Sequence, residues 1–132
     1  MSTTAQAPQS EVNKRIVADY YARVWNAKNA DALPDYIAAD YIQHNPQVPN
    51  GRAPLQHFLG GFFQQMPQSS FNVARLVADG DLVVAHCLFK ANEADRGMAV
   101  VDVYRVSEGL LVEHWDVKEA VPESSANGNP MV

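Results

Sequence analysis

Hydrophobic positions follow a helical period in the first half of the chain and a strand period in the second. Helical spacing runs through residues 11–28 and again through residues 55–66. A short helix lies between them, with Asp31 as its predicted N-cap and its end near Ala39. From Phe71 onward, runs of β-branched and aromatic residues alternate with turn residues. This order predicts an α+β fold in which a curved antiparallel sheet wraps around three N-terminal helices.

Two glycines interrupt the third helical stripe. Gly60 and Gly61 each cost roughly 1 kcal/mol against alanine in a helix interior. We therefore expect close packing of this helix against the sheet to require them.

The last two predicted strands flank Ser107–Gly109. A three-residue loop with glycine in third place suits a type I turn closed by a glycine bulge, and it pairs Val106 with Leu110. A two-residue loop at Glu108–Gly109 is the alternative, and it would shift the pairing by one residue.

The three-residue loop places three ionisable side chains on one face of this hairpin. Counting outward sets Asp102 opposite His114 and Val100 opposite Asp116. The alternative loop would move His114 and Asp116 to the other face. Charged groups on an otherwise apolar face are costly unless they have a function, so this hairpin is the first candidate site.

Composition limits the organisation and the partners. A chain of 132 residues with 47% hydrophobic residues suits one domain, which we place at residues 11–121, with a disordered arm at 1–10 and a tail at 122–132. The net charge of −5 without a basic block argues against nucleic-acid and membrane partners. The N-terminus has no signal-peptide pattern and no apolar stretch approaches ~18 residues, so we expect a cytoplasmic protein. The lone Cys87 lies in an apolar run and is expected to be a buried small hydrophobe.

Three short segments carry a family resemblance. They are YIQHNP at 41–46, DVYR at 102–105 and EHWD at 113–116. With the order of elements over residues 11–121, they make the chain resemble the SnoaL-like polyketide cyclases of the nuclear transport factor 2-like superfamily. The resemblance implies a cone-shaped α+β barrel with one cavity.

The resemblance also implies roles for individual residues. In SnoaL-like cyclases the Asp that matches Asp102 is the base that removes a proton next to a carbonyl. In the related ketosteroid isomerases the matching Asp is protonated and donates to an oxyanion, and their oxyanion Tyr matches Tyr21. Their base matches Asn45, which cannot accept a proton, so isomerisation by that route is not expected.

Other candidates follow from position and residue type. His114 and Asp116 are expected to orient the substrate or shuttle its proton; the alternative is a buried ion pair. His44 and Asn45, at a strand end before a proline loop, are expected at the mouth of the pocket, or else they cap a turn. His86 is a candidate wall residue, although a histidine in such a run is more often part of the core. The remaining wall candidates are aromatic: Tyr21, Trp25, Phe62 and Trp115.

A metal centre is the rival to acid–base chemistry. His86, His114 and Asp116 would be its ligands, but no H-x-H or HExxH spacing supports them. We predict no metal and no cofactor.

We therefore expect a homodimeric small-molecule enzyme that uses Asp102, His114, Asp116 and His44 on a small, apolar, carbonyl-containing ligand, by aldol-type cyclisation or isomerisation. Tyr21, His44 or His114 would stabilise the enolate. The alternative is a non-catalytic ligand-binding or scaffold domain. Convergence of Asp102, His114 and Asp116 on an open cavity would favour the enzyme.

Overall fold

The first helical stripe forms one continuous helix of two kinds. In the computed structural model, which describes residues 7–132, α1 (Gln9–Tyr20) passes directly into a π-helix (Tyr21–Asn26). The Asn29 N–H still donates to the Val24 carbonyl five residues back. The stripe is buried along its length, at Val17, Tyr20, Tyr21 and Val24. Most of the predicted arm at 1–10 lies outside the described residues, and Gln9 already belongs to α1.

The second helix is shorter than predicted and of a different type. It is a 3₁₀ helix (Ala30–Asp35) whose cap is Asn29, with the side-chain oxygen 3.2 Å from the Asp31 N–H that donates to it. The prediction of Asp31 as N-cap is therefore wrong by two residues. Pro34 lies inside this helix and lacks an N–H for a further turn, and the chain enters β1 at Ile37.

Five strands form one open sheet. They are β1 (Ile37–Gln43), β2 (Ser70–Asp79), β3 (Leu82–Lys90), β4 (Met98–Ser107) and β5 (Leu110–Ala120). Their order is β1-β5-β4-β3-β2, so β1 and β2 are the edges and the sheet does not close into a barrel. β1 is parallel to β5, and the other pairs are antiparallel. The α+β class and the curved sheet are confirmed.

The β4–β5 hairpin corrects the predicted register. Its loop has two residues, Glu108 and Gly109, both with positive φ (51° and 80°), as in a type I′ turn. Ser107 therefore pairs with Leu110, and the predicted Val106–Leu110 pair is wrong.

A β-bulge nevertheless returns the three ionisable groups to one face. Pairing changes from Val106–Leu111 to Arg105–Glu113, so β5 contains one extra residue. Asp102 then faces Asp116, rather than His114 as predicted, and His114 faces Tyr104. The two errors of one residue add to a shift of two beyond the bulge, which leaves Asp102, His114 and Asp116 on their predicted face.

The glycines of α2 (Arg52–Gln65) do not pack as predicted. A Cβ built on Gly60 or Gly61 would meet nothing within 4 Å. The expectation that close packing requires them is wrong, because α2 contacts β1 and the 3₁₀ helix through other side chains, such as the buried Leu55, Leu59 and Phe63.

The core lies between the helices and the inner face of the sheet. Cys87 is fully buried there, and burial raises the pKa of its thiol to about 12, with the charge of Asp102 adding to the effect. The thiol is therefore protonated at neutral pH and packs as a small apolar group. Within residues 7–132, every helix is too short or too polar to span a bilayer.

Candidate active site

A cavity of about 250 Å³ opens between the inner face of the sheet and the helices. Its wall is mainly aromatic and aliphatic, and it includes Trp25, Phe58, Phe62, Phe71 and Phe89. One part of the wall is polar and is formed by β5, β4 and the end of β1. A cavity with a mainly apolar wall and one polar part suits a small apolar ligand that carries one polar group.

Asp102 lies at the centre of the polar wall. Its side chain is 5% exposed. One carboxylate oxygen lies 2.8 Å from Nε2 of His114, and the other accepts a hydrogen bond from the Tyr21 hydroxyl. The Tyr104 hydroxyl lies 2.9 Å from the Tyr21 hydroxyl. Since the Tyr21 proton is given to Asp102, Tyr104 donates to Tyr21.

The tyrosines around Asp102 are neutral donors. Burial raises the pKa of Tyr21 and Tyr104 well above its usual range, and the negative charge of Asp102 raises both further. The π-helix begins at Tyr21, so the local change of helical turn occurs at a residue that contacts Asp102.

His114 is held on both sides. Nε2 faces Asp102, and Nδ1 lies 2.7 Å from the side-chain oxygen of Gln43. Gln43 reaches His114 because β1 runs parallel to β5 with these two residues in register. The ring stacks on Tyr41 at a centroid distance of 6.3 Å.

Asp116 is the second carboxylate of the polar wall and is only partly buried. The Asn45 side-chain amide lies 2.9 Å and 3.2 Å from its two oxygens and donates to them. Asn45 is itself fixed, because its side-chain oxygen accepts from the Gln47 N–H at 2.9 Å.

Asp102, His114 and Asp116 each offer one ligand atom, and these atoms lie within 4.8 Å of one another. They are the residues that a cation would use. The alternative metal set that includes His86 does not assemble, because the His86 ring contacts Arg75, which is exposed.

His44 and Trp115 lie away from the cavity. The two rings stack at 4.8 Å, and Nε2 of His44 lies 2.8 Å from Glu113. Glu113 also accepts from Arg105 at 2.9 Å. The bonds from His44 and Arg105 hold the pKa of the Glu113 carboxyl below its usual range.

The predicted site residues therefore divide into two groups. The structure brings together Asp102, His114, Asp116, Trp25, Asn45 and Phe62 on the wall of the cavity. Tyr21, predicted as a wall residue, is buried and bonds to Asp102 but does not itself line the cavity. His44, His86 and Trp115 lie elsewhere, since none of them lines the cavity. Gln43 and Tyr104 are among the polar wall residues that were not predicted. Tyr104 shares a strand face with Asp102 by alternation, whereas Gln43 has no local signal.

Similarity to known proteins extends over most of the chain. Residues 17–114 match the family model of the SnoaL-like domain. No curated protein sequence matches the chain.

Solved structures share the fold. A candidate polyketide cyclase from Acidithiobacillus ferrooxidans is 25% identical, with 90% of this chain and 92% of that chain covered and a TM-score of 0.72. A candidate SnoaL-like polyketide cyclase from Jannaschia sp. is 16% identical over 89% and 92% of the two chains, with a TM-score of 0.71. A SnoaL-like protein of unknown function from Burkholderia thailandensis is 15% identical over 86% and 100%, also with a TM-score of 0.71.

Proposed function

Because the chain belongs to the SnoaL-like domain family, we propose that it is an enzyme that performs acid–base chemistry next to the carbonyl group of a small, largely apolar compound. One observation carries the proposal. Asp102, His114 and Asp116 converge within 4.8 Å on the wall of a cavity that is otherwise mainly apolar. Ionisable groups in such surroundings are costly to bury and are typical of catalytic sites.

The chemistry is removal of a proton from the carbon next to the carbonyl. A carboxylate accepts this proton, and the electron pair of the broken C–H bond delocalises onto the carbonyl oxygen as an enolate. The enolate then attacks a second carbonyl in an aldol-type cyclisation, or it is reprotonated at another carbon in an isomerisation. Asp102 is central to either reaction, because it connects His114 to the neutral Tyr21.

The cavity limits the size of the ligand. Its volume of about 250 Å³ lies just below the ~300 Å³ at which pockets for drug-sized ligands begin. The aromatic wall from Trp25 to Phe62 suits a flat ring system. We therefore propose a mono- or bicyclic ketone as the substrate class. The alternative, a non-catalytic binding domain, would not need three ionisable groups on this wall.

The test is exchange of the α-protons of 2-tetralone, a bicyclic ketone, for deuterium in D₂O, followed by NMR. We expect the protein to accelerate exchange and Asp102→Asn to lower the rate by about 100-fold or more. Asp81→Asn, the same chemical change at an exposed turn residue, is the matched control. Undiminished exchange in Asp102→Asn would exclude this mechanism, and binding of 2-tetralone without exchange would favour the binding domain.

We also propose that the protein is a homodimer that pairs through the outer face of the sheet. A row of apolar residues crosses this face, formed by Val77, Val84, Val103 and Trp115 in register. The residues Val77 and Val117 on this face are 61% and 68% exposed. Arg75 lies near the β2 end of the row and Glu119 near its β5 end, so a second copy related by a two-fold axis can place opposite charges together.

A further inference from the structure

A lysine lies on the wall of the cavity. Among the described residues that line the cavity, Lys118 is the only lysine or arginine. It lies on β5 two residues after Asp116 and four after His114, so strand alternation places the three side chains on the same face. Alternate residues of a strand are about 7 Å apart, which places the backbone of Lys118 about 7 Å beyond that of Asp116 along the wall.

Exposure along this face of β5 locates Lys118 at the mouth of the cavity. His114 is buried, Asp116 is partly buried and Lys118 is exposed. Val100, the residue that pairs with Lys118 on β4, is buried and also lines the cavity. This face of β5 therefore passes from the interior of the cavity to solvent, and Lys118 lies at the solvent end.

The Lys118 ammonium has no ion-pair or hydrogen-bond partner among the described residues, in contrast to the other three lysines of the chain. The Lys14 ammonium lies 2.7 Å from a carboxylate oxygen of Glu11. The ammonium groups of Lys28 and Lys90 donate to backbone carbonyl oxygens. A lysine ammonium has three N–H donors and a full positive charge, so Lys118 can offer both to a ligand at the mouth.

The interior of the cavity carries groups of the opposite charge. Asp102 and Asp116 both lie on its polar wall. A negatively charged group of a ligand is repelled by these carboxylates if it enters first, and it is attracted by Lys118 if it stays at the mouth. The charges therefore favour one orientation of an anionic ketone, with the carbonyl inside and the anionic group outside.

Resting on the proposed function, we propose that the substrate is a keto acid and that Lys118 binds its carboxylate at the mouth of the cavity. The ketone end then lies against the polar wall that contains Asp102 and His114. A carboxylate in this position keeps part of its hydration, because Lys118 is exposed, and it avoids burial against the apolar wall. One ammonium balances one negative charge, which favours a carboxylate over a doubly charged phosphate.

Lys118 is a binding residue and takes no part in the proton transfer. It contacts the substrate at the end remote from the carbonyl, and it restricts the orientations that the ring can adopt in the cavity. An interaction with a part of the substrate that does not react is equally strong in the ground state and the transition state. Such an interaction lowers KM and leaves kcat unchanged.

Two derivatives of 2-tetralone that differ in charge test the proposal. The 6-carboxylate and the 6-carboxamide have nearly the same shape, and both carry their substituent on the ring that lacks the ketone. We expect the wild-type protein to exchange the α-protons of the carboxylate with a KM about 5-fold lower than that of the carboxamide, the upper range for an exposed ion pair. The preference should decline in 1 M salt, where the Debye length falls to about 3 Å.

Substitutions of Lys118 should change this preference in a graded way. Lys118→Met keeps the length of the side chain and should make the two KM values equal. Lys118→Glu should reverse the preference, and Lys118→Arg should retain it. Lys14→Met removes a lysine of α1 that does not line the cavity, so this matched control should keep the wild-type preference. Circular dichroism establishes that each variant is folded.

Two results would overturn the proposal and leave the proposed function intact. They are equal KM values for the two ketones in the wild-type protein, and a preference for the carboxylate that persists in folded Lys118→Met. Isothermal titration calorimetry with the same two compounds measures binding without reaction. Absence of exchange with both ketones, together with a calorimetric preference for the carboxylate that Lys118→Met removes, would exclude the proposed enzyme and retain Lys118 as the carboxylate site of a binding domain.

Discussion

Four buried phenols lie around Asp102 and His114, and their protonation determines how the residues of the site respond to alkaline pH. Burial raises the pKa of Tyr20, Tyr21, Tyr41 and Tyr104, and the charge of Asp102 contributes at each of them. In the unfolded chain these groups titrate near pH 10. The folded protein keeps protons that the unfolded chain loses above that pH, so their contribution to stability is full below about pH 10 and is lost as the pH rises.

We therefore predict that tyrosine ionisation and unfolding coincide. In an alkaline titration, the absorbance of tyrosinate should appear together with the loss of the circular dichroism signal, in one transition above about pH 10. The chain unfolded in urea is the control, and there the tyrosines should titrate near pH 10 without a transition. Ionisation of these four tyrosines near pH 10 with an unchanged circular dichroism spectrum would contradict the prediction.

At the level of residues, only part of the site can be predicted from the sequence. Alternation along β4 and β5 is enough to place Asp102, His114 and Asp116 on one face, because side chains in a strand repeat every two residues. The contact of Gln43 with His114 joins residues 71 positions apart. It depends on a parallel pairing of β1 with β5, which no local pattern specifies. For His86, the position within a strand can be predicted from the sequence, but the hydrogen bond to Arg75 cannot.

The helices, strands and loops differ in how well they can be predicted from their own sequences. The apolar stripes of α1 and α2 and the runs of β2 and β3 are visible in the sequence, because burial of one face imposes a period. The hairpin loop is ambiguous, since Ser107–Gly109 suits a turn of two or three residues. The bulge opposite Arg105 has no sequence mark of its own, yet it decides the register of β5. The predicted shared face was right because the loop and the bulge each shift the pairing by one residue.

Helix α2 provides a stability prediction at this scale. Gly61 is exposed, and a Cβ placed on it would meet nothing within 4 Å. Gly61→Ala should therefore raise the free energy of unfolding by about 0.5–1 kcal/mol, because alanine loses less conformational entropy in a helix than glycine does. Urea unfolding followed by circular dichroism measures the change.

Gly97 is the matched control for this substitution. Its φ is +91°, and an added Cβ would lie 2.5 Å from the Phe89 carbonyl oxygen. Gly97→Ala should therefore lower the free energy of unfolding by more than Gly61→Ala raises it. A loss of stability in Gly61→Ala would mean that α2 needs its glycine after all.

On the scale of the whole molecule, the sheet separates two kinds of surface. Its inner face carries the cavity and the buried polar groups, whose side-chain nitrogens and oxygens all have partners within the described residues. Its outer face carries Val77 and Val117 exposed to solvent, beside the stacked rings of His44 and Trp115. Exposed apolar side chains grouped on one face are typical of an interaction surface. An outer face covered by a second copy would also leave the cavity of each copy free on the inner side.

The proposed homodimer predicts a mass of twice 14.5 kDa by light scattering. Val77→Lys and Val117→Lys together should shift the mass to that of one chain, because a two-fold interface would bury four lysines without partners. Ala94→Lys adds a positive charge at an exposed position of the β3–β4 connection and should leave the dimer intact. Each variant should keep α-proton exchange with 2-tetralone if the cavity is complete within one chain. A wild-type protein of single-chain mass would exclude the homodimer, whereas loss of exchange in a folded monomeric variant would show that the second copy supports the site across the sheet.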